Sequence, residues 1–295
     1  MPHVVVINPT SSAEITAGIQ ESLDRAARRW GVGATAVTSY GGPRAIETDD
    51  DARAAVGPLL ATAGQHRADA YVVGCFSDTG LDELRAAAPV PVVGIAEAAL
   101  ISAMAHSRRI GVVSTLPMAT FRHELYWARL GVSGRVVADL AIGRGVLELG
   151  TREAANAVLS ASRELVGRRG AEAVILGSVG MERLRGPLAD ELGVPVIEPC
   201  AAGVAMAVQA LADAPSAPRT VPAPEPAAYR PEPDYEAPYR PEPSYRSEPS
   251  REPSYEPSYE PRYDSGYGSR YGSERYGSSD RGHYSAQRRS SEVYQ

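Results

Sequence analysis

The chain has 295 residues and a formal net charge of −6 at pH 7. All 30 of its basic Lys or Arg residues are Arg, which excludes chemistry that needs a lysine amine, such as a Schiff base to pyridoxal phosphate. Two Cys cannot form a four-cysteine zinc site or a disulfide scaffold, so no metal site is expected. The slight acidic excess argues against nucleic-acid binding, and no apolar run is long enough for a membrane span.

Residues 213–295 differ in composition from residues 1–212. They hold fourteen of the 24 Pro and twelve of the 15 Tyr, in repeats that pass from Pro-Glu-Pro-Ser-Tyr to Tyr-Gly-Ser. A segment without aliphatic periodicity cannot bury enough apolar surface to offset its chain entropy, so we expect a disordered tail. The composition favours a solvated appendage. The alternative is a tail that makes weak, multivalent protein contacts through its spaced Tyr and Arg side chains.

Short apolar runs alternate with longer amphipathic segments along residues 1–212. The predicted strands are 4–8, 34–38, 70–74, 92–95, 110–114, 136–139, 174–177 and 196–197. The predicted helices are 12–30, 50–66, 81–87, 96–105, 118–131, 151–170, 181–192 and 201–212. Nearly continuous Val and Ile runs are typical of strands buried on both faces, and strand–helix alternation indicates parallel sheets covered by helices. The sequence therefore predicts an α/β fold.

An internal duplication of about 100 residues is visible in the sequence. Residues 70–99 and 173–203 share a buried strand ending in Gly, a polar turn, a helix, Val-Pro-Val and a second helix rich in small residues. The alignment pairs Asn8 with Ser114 and Cys75 with Ser178. We expect two similar lobes, residues 1–105 (completed by a helix near 201–212) and residues 106–200. Ligands of such sheets bind at the carboxyl ends of the strands.

Cys75 is the strongest candidate for a reactive residue. It follows a buried strand and opens the turn CFSDTG, where the amides of the next helix favour a thiolate and a lowered thiol pKa. The alternative is a small buried side chain without chemistry. Cys200 also opens a helix, but the duplication aligns it with Ala96, so we expect Cys200 in the core.

Six segments in order resemble the aspartate/glutamate/hydantoin racemase superfamily, and its hydantoin racemase branch most. They are INPTSS (7–12), GPRAIET (42–48), VGCFSDTGL (73–81), PVVGIAEAA (91–99), ILGSVGM (175–181) and VPVIEP (194–199). The resemblance covers residues 1–212 and none of the tail. It implies two flavodoxin-like lobes and a cofactor-independent racemase with two cysteines across a cleft. One thiolate removes the α-proton of the substrate, and the other thiol returns a proton to the opposite face.

The sequence departs from this pattern at the second cysteine. The resemblance places the first catalytic position on Cys75 and the second on Ser178, which stands where the family has Cys. A serine hydroxyl is far less acidic than a thiol and needs a strong neighbouring base. No His lies near Ser178 in sequence, and His123 has no evident relation to it. Ser178 is therefore expected to position substrate or to relay a proton through water.

The residues expected to bind substrate follow the predicted strands or flank the two catalytic positions. They are Asn8, Thr10, Ser11, Gly42, Pro43, Phe76, Ser114, Thr115, Val179 and Gly180. The polar members suit a carboxylate or the carbonyls of a hydantoin ring. Helix capping explains Asn8, Thr10 and Ser11 equally well, and the same choice applies to Ser114 and Thr115.

The predicted function is racemisation of a hydantoin or a related amino-acid derivative at a C–H next to a carbonyl. Two alternatives remain open: a one-cysteine decarboxylase or isomerase of the same superfamily, and a catalytically inactive module that binds a small ligand. The expected partner is a small molecule, with neither nucleic acid nor membrane, and self-association into a homo-oligomer is common for such lobed enzymes. The start of the chain has no export-signal pattern, so we expect a cytoplasmic protein.

Overall fold

The computed structural model describes residues 1–213, apart from the side chains of residues 25–29. The predicted tail, residues 213–295, lies outside the described residues except for Asp213. Within residues 1–213, no helix has the length and apolar character needed to cross a membrane.

The first half of the described chain forms a four-stranded parallel sheet with the order β2-β1-β3-β4. Its strands and helices alternate along the chain. They are β1 (His3–Asn8), α1 (Ala13–Trp30), β2 (Gly33–Thr38), α2 (Asp49–Gln65), β3 (Ala70–Val73), α3 (Leu81–Ala87), β4 (Val92–Gly94) and α4 (Ile95–Met104). Strands β1 and β3 lie in the middle of the sheet, and their side chains are buried almost throughout, as the Val and Ile runs predict.

The second half repeats this arrangement with the order β6-β5-β7-β8, again all parallel. Its elements are β5 (Ile110–Ser114), α5 (Pro117–Arg129), β6 (Val136–Ala141), α6 (Arg152–Gly167), β7 (Ala173–Leu176), α7 (Arg185–Leu192), β8 (Val196–Ile197) and α8 (Pro199–Asp213). Short 3₁₀ turns precede β6, α6 and α7. The predicted α/β fold with two parallel sheets is thereby confirmed.

The two sheets also share their register toward the carboxyl ends of their central strands, although the pairing of β5 with β6 shifts by one residue between Ile110 and Gly111. In the first, the amide of Gly74 donates to the carbonyl of Ile7 at 2.8 Å; in the second, the amide of Gly177 donates to that of Val113 at 2.7 Å. The carbonyl of Asn8 accepts from Ser39 at 3.0 Å, as the carbonyl of Ser114 accepts from Ile142 at 2.9 Å. The strand ends that carry Asn8 and Cys75 therefore correspond to those that carry Ser114 and Ser178.

The last helix of each half packs with the sheet of the other half. Ala99 and Leu100 of α4 lie in one apolar cluster with Val112 and Ile175, which belong to the second sheet. Val204 of α8 lies in a cluster with strands of the first sheet, including Val4, Val6 and Val72. Each sheet is thus covered on one face by a helix from the far end of the other half.

Candidate active site

Four polar residues stand at or just beyond the central strands of the two sheets. Asn8 ends β1, Ser114 ends β5, Cys75 follows β3 after Gly74, and Ser178 follows β7 after Gly177. Cys75 is partly exposed, whereas the other three side chains are buried. Because strands in one parallel sheet end at the same edge, Asn8 shares an edge with Cys75, and Ser114 shares an edge with Ser178.

The Cys75 thiol lies close to the hydroxyl of Thr79, with Sγ and Oγ1 3.7 Å apart. Burial raises the pKa of Cys75, and the negative charge of Asp78 adds to the increase; the backbone amides of Ser77 and Thr79 act in the opposite direction. The expected lowering of the thiol pKa is therefore wrong. Desolvation of a thiolate outweighs the helix-start amides, and it depends on packing that a local motif does not reveal.

Ser178 is buried and donates its hydroxyl hydrogen to the carbonyl of Val179 at 3.1 Å. Within residues 1–213, no base hydrogen-bonds to Ser178 Oγ. A serine in this setting has no local means of becoming an alkoxide, so its hydroxyl can donate a hydrogen bond or relay a proton, but cannot serve as a strong base.

The loop after β1 is closed on itself by hydrogen bonds. The Asn8 amide group donates to the carbonyl of Ser12 and to the hydroxyl of Thr16, both at 3.0 Å, and its oxygen accepts from the amide and hydroxyl of Thr10. Ser12 Oγ accepts from the amide of Ile15, so Ser12 caps the start of α1. These contacts favour the capping alternative for Asn8 and Thr10, because their polar groups are already paired.

The loop that carries Gly42 and Pro43 packs directly against this turn. The amide of Ser11 donates to the carbonyl of Pro43 at 2.8 Å. A Cβ atom at Gly42 would lie 2.3 Å from the carbonyl oxygen of Pro9, so this close approach requires glycine. The structure thus brings Ser11, Gly42 and Pro43 together, at the edge where β1 and β2 end.

In the second half, Ser114 belongs to a buried polar cluster that the sequence did not indicate. Ser114 Oγ is 3.1 Å from His123 Nδ1, and the same nitrogen is 2.9 Å from Asp139 Oδ2. The His123 ring also meets the edge of Phe76, with 5.0 Å between ring centroids. His123 therefore connects Ser114 to the residue that follows Cys75. Thr115, also buried, accepts from the amide of Gly143 through its carbonyl.

Val179 and Gly180 line a cavity of about 390 Å³ between α1 and residues 146–155 and 179–184. Neither Cys75 nor Ser178 lines this cavity. Gly180 has φ of +97°, a conformation that favours glycine. Among residues 1–213, no three His, Cys, Asp or Glu side chains are grouped so that they could hold a metal ion.

Asp78, the third residue after Cys75, has a buried carboxylate bound to two other elements. Its two oxygens accept from the amides of Ala96 and Glu97 at the start of α4, each at 2.9 Å, and Oδ2 also accepts from the Tyr126 hydroxyl of α5 at 2.8 Å. Burial raises the pKa of Asp78 to about 7. The sequence marked Asp78 only as a polar neighbour of Cys75, because its partners lie far along the chain.

Cys200 lies in the core, as expected, with no exposed surface. Burial raises its thiol pKa well above the usual value, and neighbouring Glu198 adds to this effect. Glu198 accepts from the amides of Cys200 and Ala201 at 2.9 and 2.7 Å and from the hydroxyl of Ser22 at 2.5 Å. This carboxylate caps α8, and the cysteine beside it has no access to solvent.

The fold and these strand ends define a class: a duplicated α/β protein with a thiol and a hydroxyl at equivalent positions of its two parallel sheets. Residues 4–207 match the family described as Asp/Glu/Hydantoin racemase. The chain belongs to this family, which confirms the resemblance seen in its motifs and supports a racemase-type isomerase.

Individual relatives agree with this assignment. The hydantoin racemase of Rhizobium meliloti is 35% identical over 210 residues, which cover 70% of this chain and 87% of that one. The structure of allantoin racemase from Klebsiella pneumoniae is similar with a TM-score of 0.67 at 32% identity, covering 72% of this chain and 88% of that one. Arylmalonate decarboxylase, at 16% identity and a TM-score of 0.52 over 71% of this chain and 92% of its own, shares the fold.

Proposed function

We propose that this protein racemises a 5-substituted hydantoin or a closely related derivative without a cofactor, with Cys75 as the base and Ser178 at the second catalytic position. The observation that carries the proposal is the placement of Cys75, a partly exposed residue whose thiol lies at the carboxyl end of a central strand. The family and the names of the similar hydantoin and allantoin racemases supply the substrate class.

The proposed reaction begins with removal of the hydrogen at C5 of the ring by the Cys75 thiolate, which becomes a thiol. The electron pair left on carbon is delocalised into the adjacent carbonyl as an enolate. A proton then returns from the opposite face, through the Ser178 hydroxyl or a water molecule, and gives the other enantiomer. The hydroxyl or water regains a proton from solvent, and the Cys75 thiol loses its proton to solvent, which restores the thiolate. The site has a thiol on one side only, so it suits a substrate whose C–H is easily deprotonated. A C–H flanked by a carbonyl and a ring nitrogen is such a carbon acid.

The raised pKa of Cys75 has a consequence for the rate. Only a small fraction of the thiol is ionised near neutral pH in the free protein, so kcat/KM should rise with pH through the alkaline range. The same high pKa makes the thiolate, once formed, a stronger base. The C–H of a hydantoin ring is also more acidic than the α C–H of a free amino acid, so a weaker base can remove its proton.

Incubation of the protein with one enantiomer of 5-benzylhydantoin in heavy water tests the proposal. We expect loss of optical rotation together with deuterium at C5, faster than in buffer alone. Deuterium incorporation with retained configuration would replace racemisation by a one-base exchange. Measurable binding of the hydantoin with neither exchange nor racemisation would contradict the proposal and favour the inactive binding module.

A one-cysteine reaction is the second candidate, and the hydroxyl at the second position favours it. With Ser178 lacking a base, Cys75 can deliver or remove a proton on one face only. An aryl-substituted malonate then serves as the test substrate. Release of carbon dioxide with a single enantiomer of product would favour the decarboxylase over the racemase.

The proposed partner is accordingly a small carbonyl compound. Cytoplasmic location and self-association are proposed with it, and the oligomeric state is measured by analytical ultracentrifugation of the full chain.

A further inference from the structure

The turn after Cys75 carries an acidic side chain that the racemase chemistry above does not use. We propose that Asp78 is a positioning residue, which holds the Cys75 turn in place by binding it to the start of α4 and, through Tyr126, to α5. The inference rests on the proposed role of Cys75 as the base.

The backbone of the turn depends on Asp78. The amide of Asp78 donates to the carbonyl of Cys75 at 2.8 Å, and the carbonyl of Asp78 accepts from Leu81 at 3.0 Å. Asp78 has φ of +48° and is the one residue other than glycine with a positive φ in the described part of the chain. A left-handed conformation costs an Asp residue some free energy, which the backbone hydrogen bonds of the turn and the side-chain hydrogen bonds of Asp78 offset.

The start of α4 is shaped to receive this side chain. The two carboxylate oxygens of Asp78 accept from Ala96 and Glu97, two of the first-turn amides that have no partner within the helix. Gly94, directly before α4, has an ordinary negative φ of −93°, so its backbone does not require glycine. A Cβ atom there would lie 2.3 Å from the Asp78 carboxyl group, so the missing side chain makes room for Asp78.

The second connection leads to the half of the protein that carries Ser178. Tyr126 lies on α5, is buried, and donates its hydroxyl hydrogen to Asp78 Oδ2 at 2.8 Å, with Glu97 Oε1 at 3.1 Å as a further acceptor. Glu97 in turn accepts from the Arg85 guanidinium at 2.6 Å. The carboxylate therefore binds the Cys75 turn to α5, whose first residues follow Ser114 and Thr115.

The second half shows that capping the helix does not require a carboxylate on the turn. The duplication aligns Asp78 with Met181 and Gly94 with Glu198. In that half, Glu198 caps α8 from the position just before the helix, and the turn that carries Ser178 has no such connection. The first half, which carries the thiol, therefore differs in two linked ways: its capping carboxylate, Asp78, lies on the turn, and Gly94 leaves room for it before the helix.

Several charged or titratable groups face Asp78. They are Glu97 on α4, Arg85 on α3, Tyr126 on α5 and the Cys75 thiol on the same turn. Burial, aided by Glu97, raises the pKa of Asp78 to about 7, while the two amides and Tyr126 oppose the increase. Protonation of Asp78 puts a hydrogen on an oxygen that already accepts a hydrogen bond from the protein, and so weakens the contacts that hold the Cys75 turn. We therefore expect kcat to fall as pH drops through about 7.

The test compares three variants with the full-length wild-type chain. Asp78→Asn keeps the turn conformation, since Asn tolerates a positive φ, but removes the charge and one acceptor. The double variant Asp78→Gly with Gly94→Glu reproduces the helix cap of the second half: it returns a carboxylate to the start of α4 and releases the turn. Asp82→Asn is the matched control, because Asp82 also reaches α5 by pairing with Arg129 at 3.0 Å, yet both side chains are exposed.

Two measurements are made on each variant. The first is kcat and KM for 5-benzylhydantoin across a range of pH. The second is the pH dependence of Cys75 alkylation by iodoacetamide, with the modified cysteine identified by mass spectrometry. Asp78→Asn should lower kcat at least tenfold with KM within about twofold. It should also remove the part of the acidic decline that Asp78 adds near pH 7, leaving the decline due to Cys75, and lower the apparent pKa of Cys75 alkylation. The double variant should recover thermal stability and keep a low kcat. Asp82→Asn should match wild type.

A double variant with wild-type kcat would show that Asp78 is only a helix cap, and unchanged kcat and alkylation in Asp78→Asn would also overturn the proposal. Alkylation does not require turnover, so it decides the link between Asp78 and Cys75 even if the wild type proves inactive on hydantoins. Such inactivity would count against the proposed function, whereas an alkylation profile insensitive to Asp78 counts against the positioning role.

Discussion

The two halves of the described chain cap equivalent helices, α4 and α8, in different ways. Both place a buried carboxylate at the start of the helix that follows the fourth strand of the sheet. In the second half the carboxylate belongs to Glu198, which directly precedes the helix. In the first half it belongs to Asp78, which lies on the turn after Cys75. Strand order and the register at the carboxyl ends of the central strands have stayed alike, whereas the turns after β3 and β7 have diverged. The two halves have therefore diverged at the turns to which the catalytic residues are assigned in the proposed function.

The largest expected effect concerns the two cysteines. Cys75→Ser should lower racemisation of 5-benzylhydantoin about 1,000-fold or more, because a hydroxyl at this strand end cannot replace the thiolate. Cys200→Ala should leave kcat within about twofold, since Cys200 is buried in the core. Polarimetry on folded protein checks both variants. Full activity in Cys75→Ser would refute the difference proposed between the strand ends.

The second effect is the pH dependence of stability. The pKa of Asp78 is about 7 in the folded protein and near 3.8 when unfolded, so the folded state holds more protons between these values. Stability from this group therefore falls as pH rises from about 4 to 7, by up to about 4 kcal/mol, and is constant above.

Urea unfolding at pH 5 and pH 8 measures this dependence. The difference between the two pH values should be smaller in Asp78→Asn than in wild type. An equal difference in both proteins would show that other groups, and not Asp78, set the pH dependence of stability.

The third effect tests the cap of the second half. Glu198→Gln should destabilise the protein by about 2 kcal/mol, because an amide cannot accept from two helix amides and a serine hydroxyl at once. Thermal unfolding measures it. Glu191→Gln is the control: its partner Arg163 is exposed, and exposed ion pairs contribute little. Equal losses in both variants would contradict the cap.

The smallest expected effect comes from a substitution that makes the two strand ends alike. Ser178→Cys places a thiol at both strand ends and should raise kcat for racemisation about tenfold, since a thiol can return the proton on the second face. The rate of optical rotation loss measures the gain, with Ser77→Cys as a control that adds a thiol beside Cys75 and not opposite it. A fall in rate with Ser178→Cys would show that the serine hydroxyl has its own function.

The sequence predicted the strands and helices well because their signals are local. Runs such as Val4–Ile7 and Ile110–Val113 identify buried strands, and the duplication indicates that the strands form two similar sets. The thiol pKa of Cys75 was predicted in the wrong direction, because burial depends on the complete fold.

Contacts between distant elements were out of reach for the same reason. The Asp78 network joins a turn, α4 and α5, and the His123 cluster joins α5 with β5 and β6. Periodicity indicates that one face of a helix is buried, but it does not indicate which sheet covers that face. The sequence predicts that a helix near 201–212 completes the first lobe, but it does not indicate that α4 packs against the second sheet.

The exchange of α4 and α8 between the halves has a consequence for the origin of the chain. A half ending after α4 would expose the helix face that contacts Val112 and Ile175, and would leave Val72 of its own sheet without α8. Two such halves could satisfy both needs by trading their last helices, which is the arrangement of a domain-swapped dimer. The present protein has the arrangement of such a dimer, but with both halves in a single polypeptide. Neither half is therefore expected to fold alone.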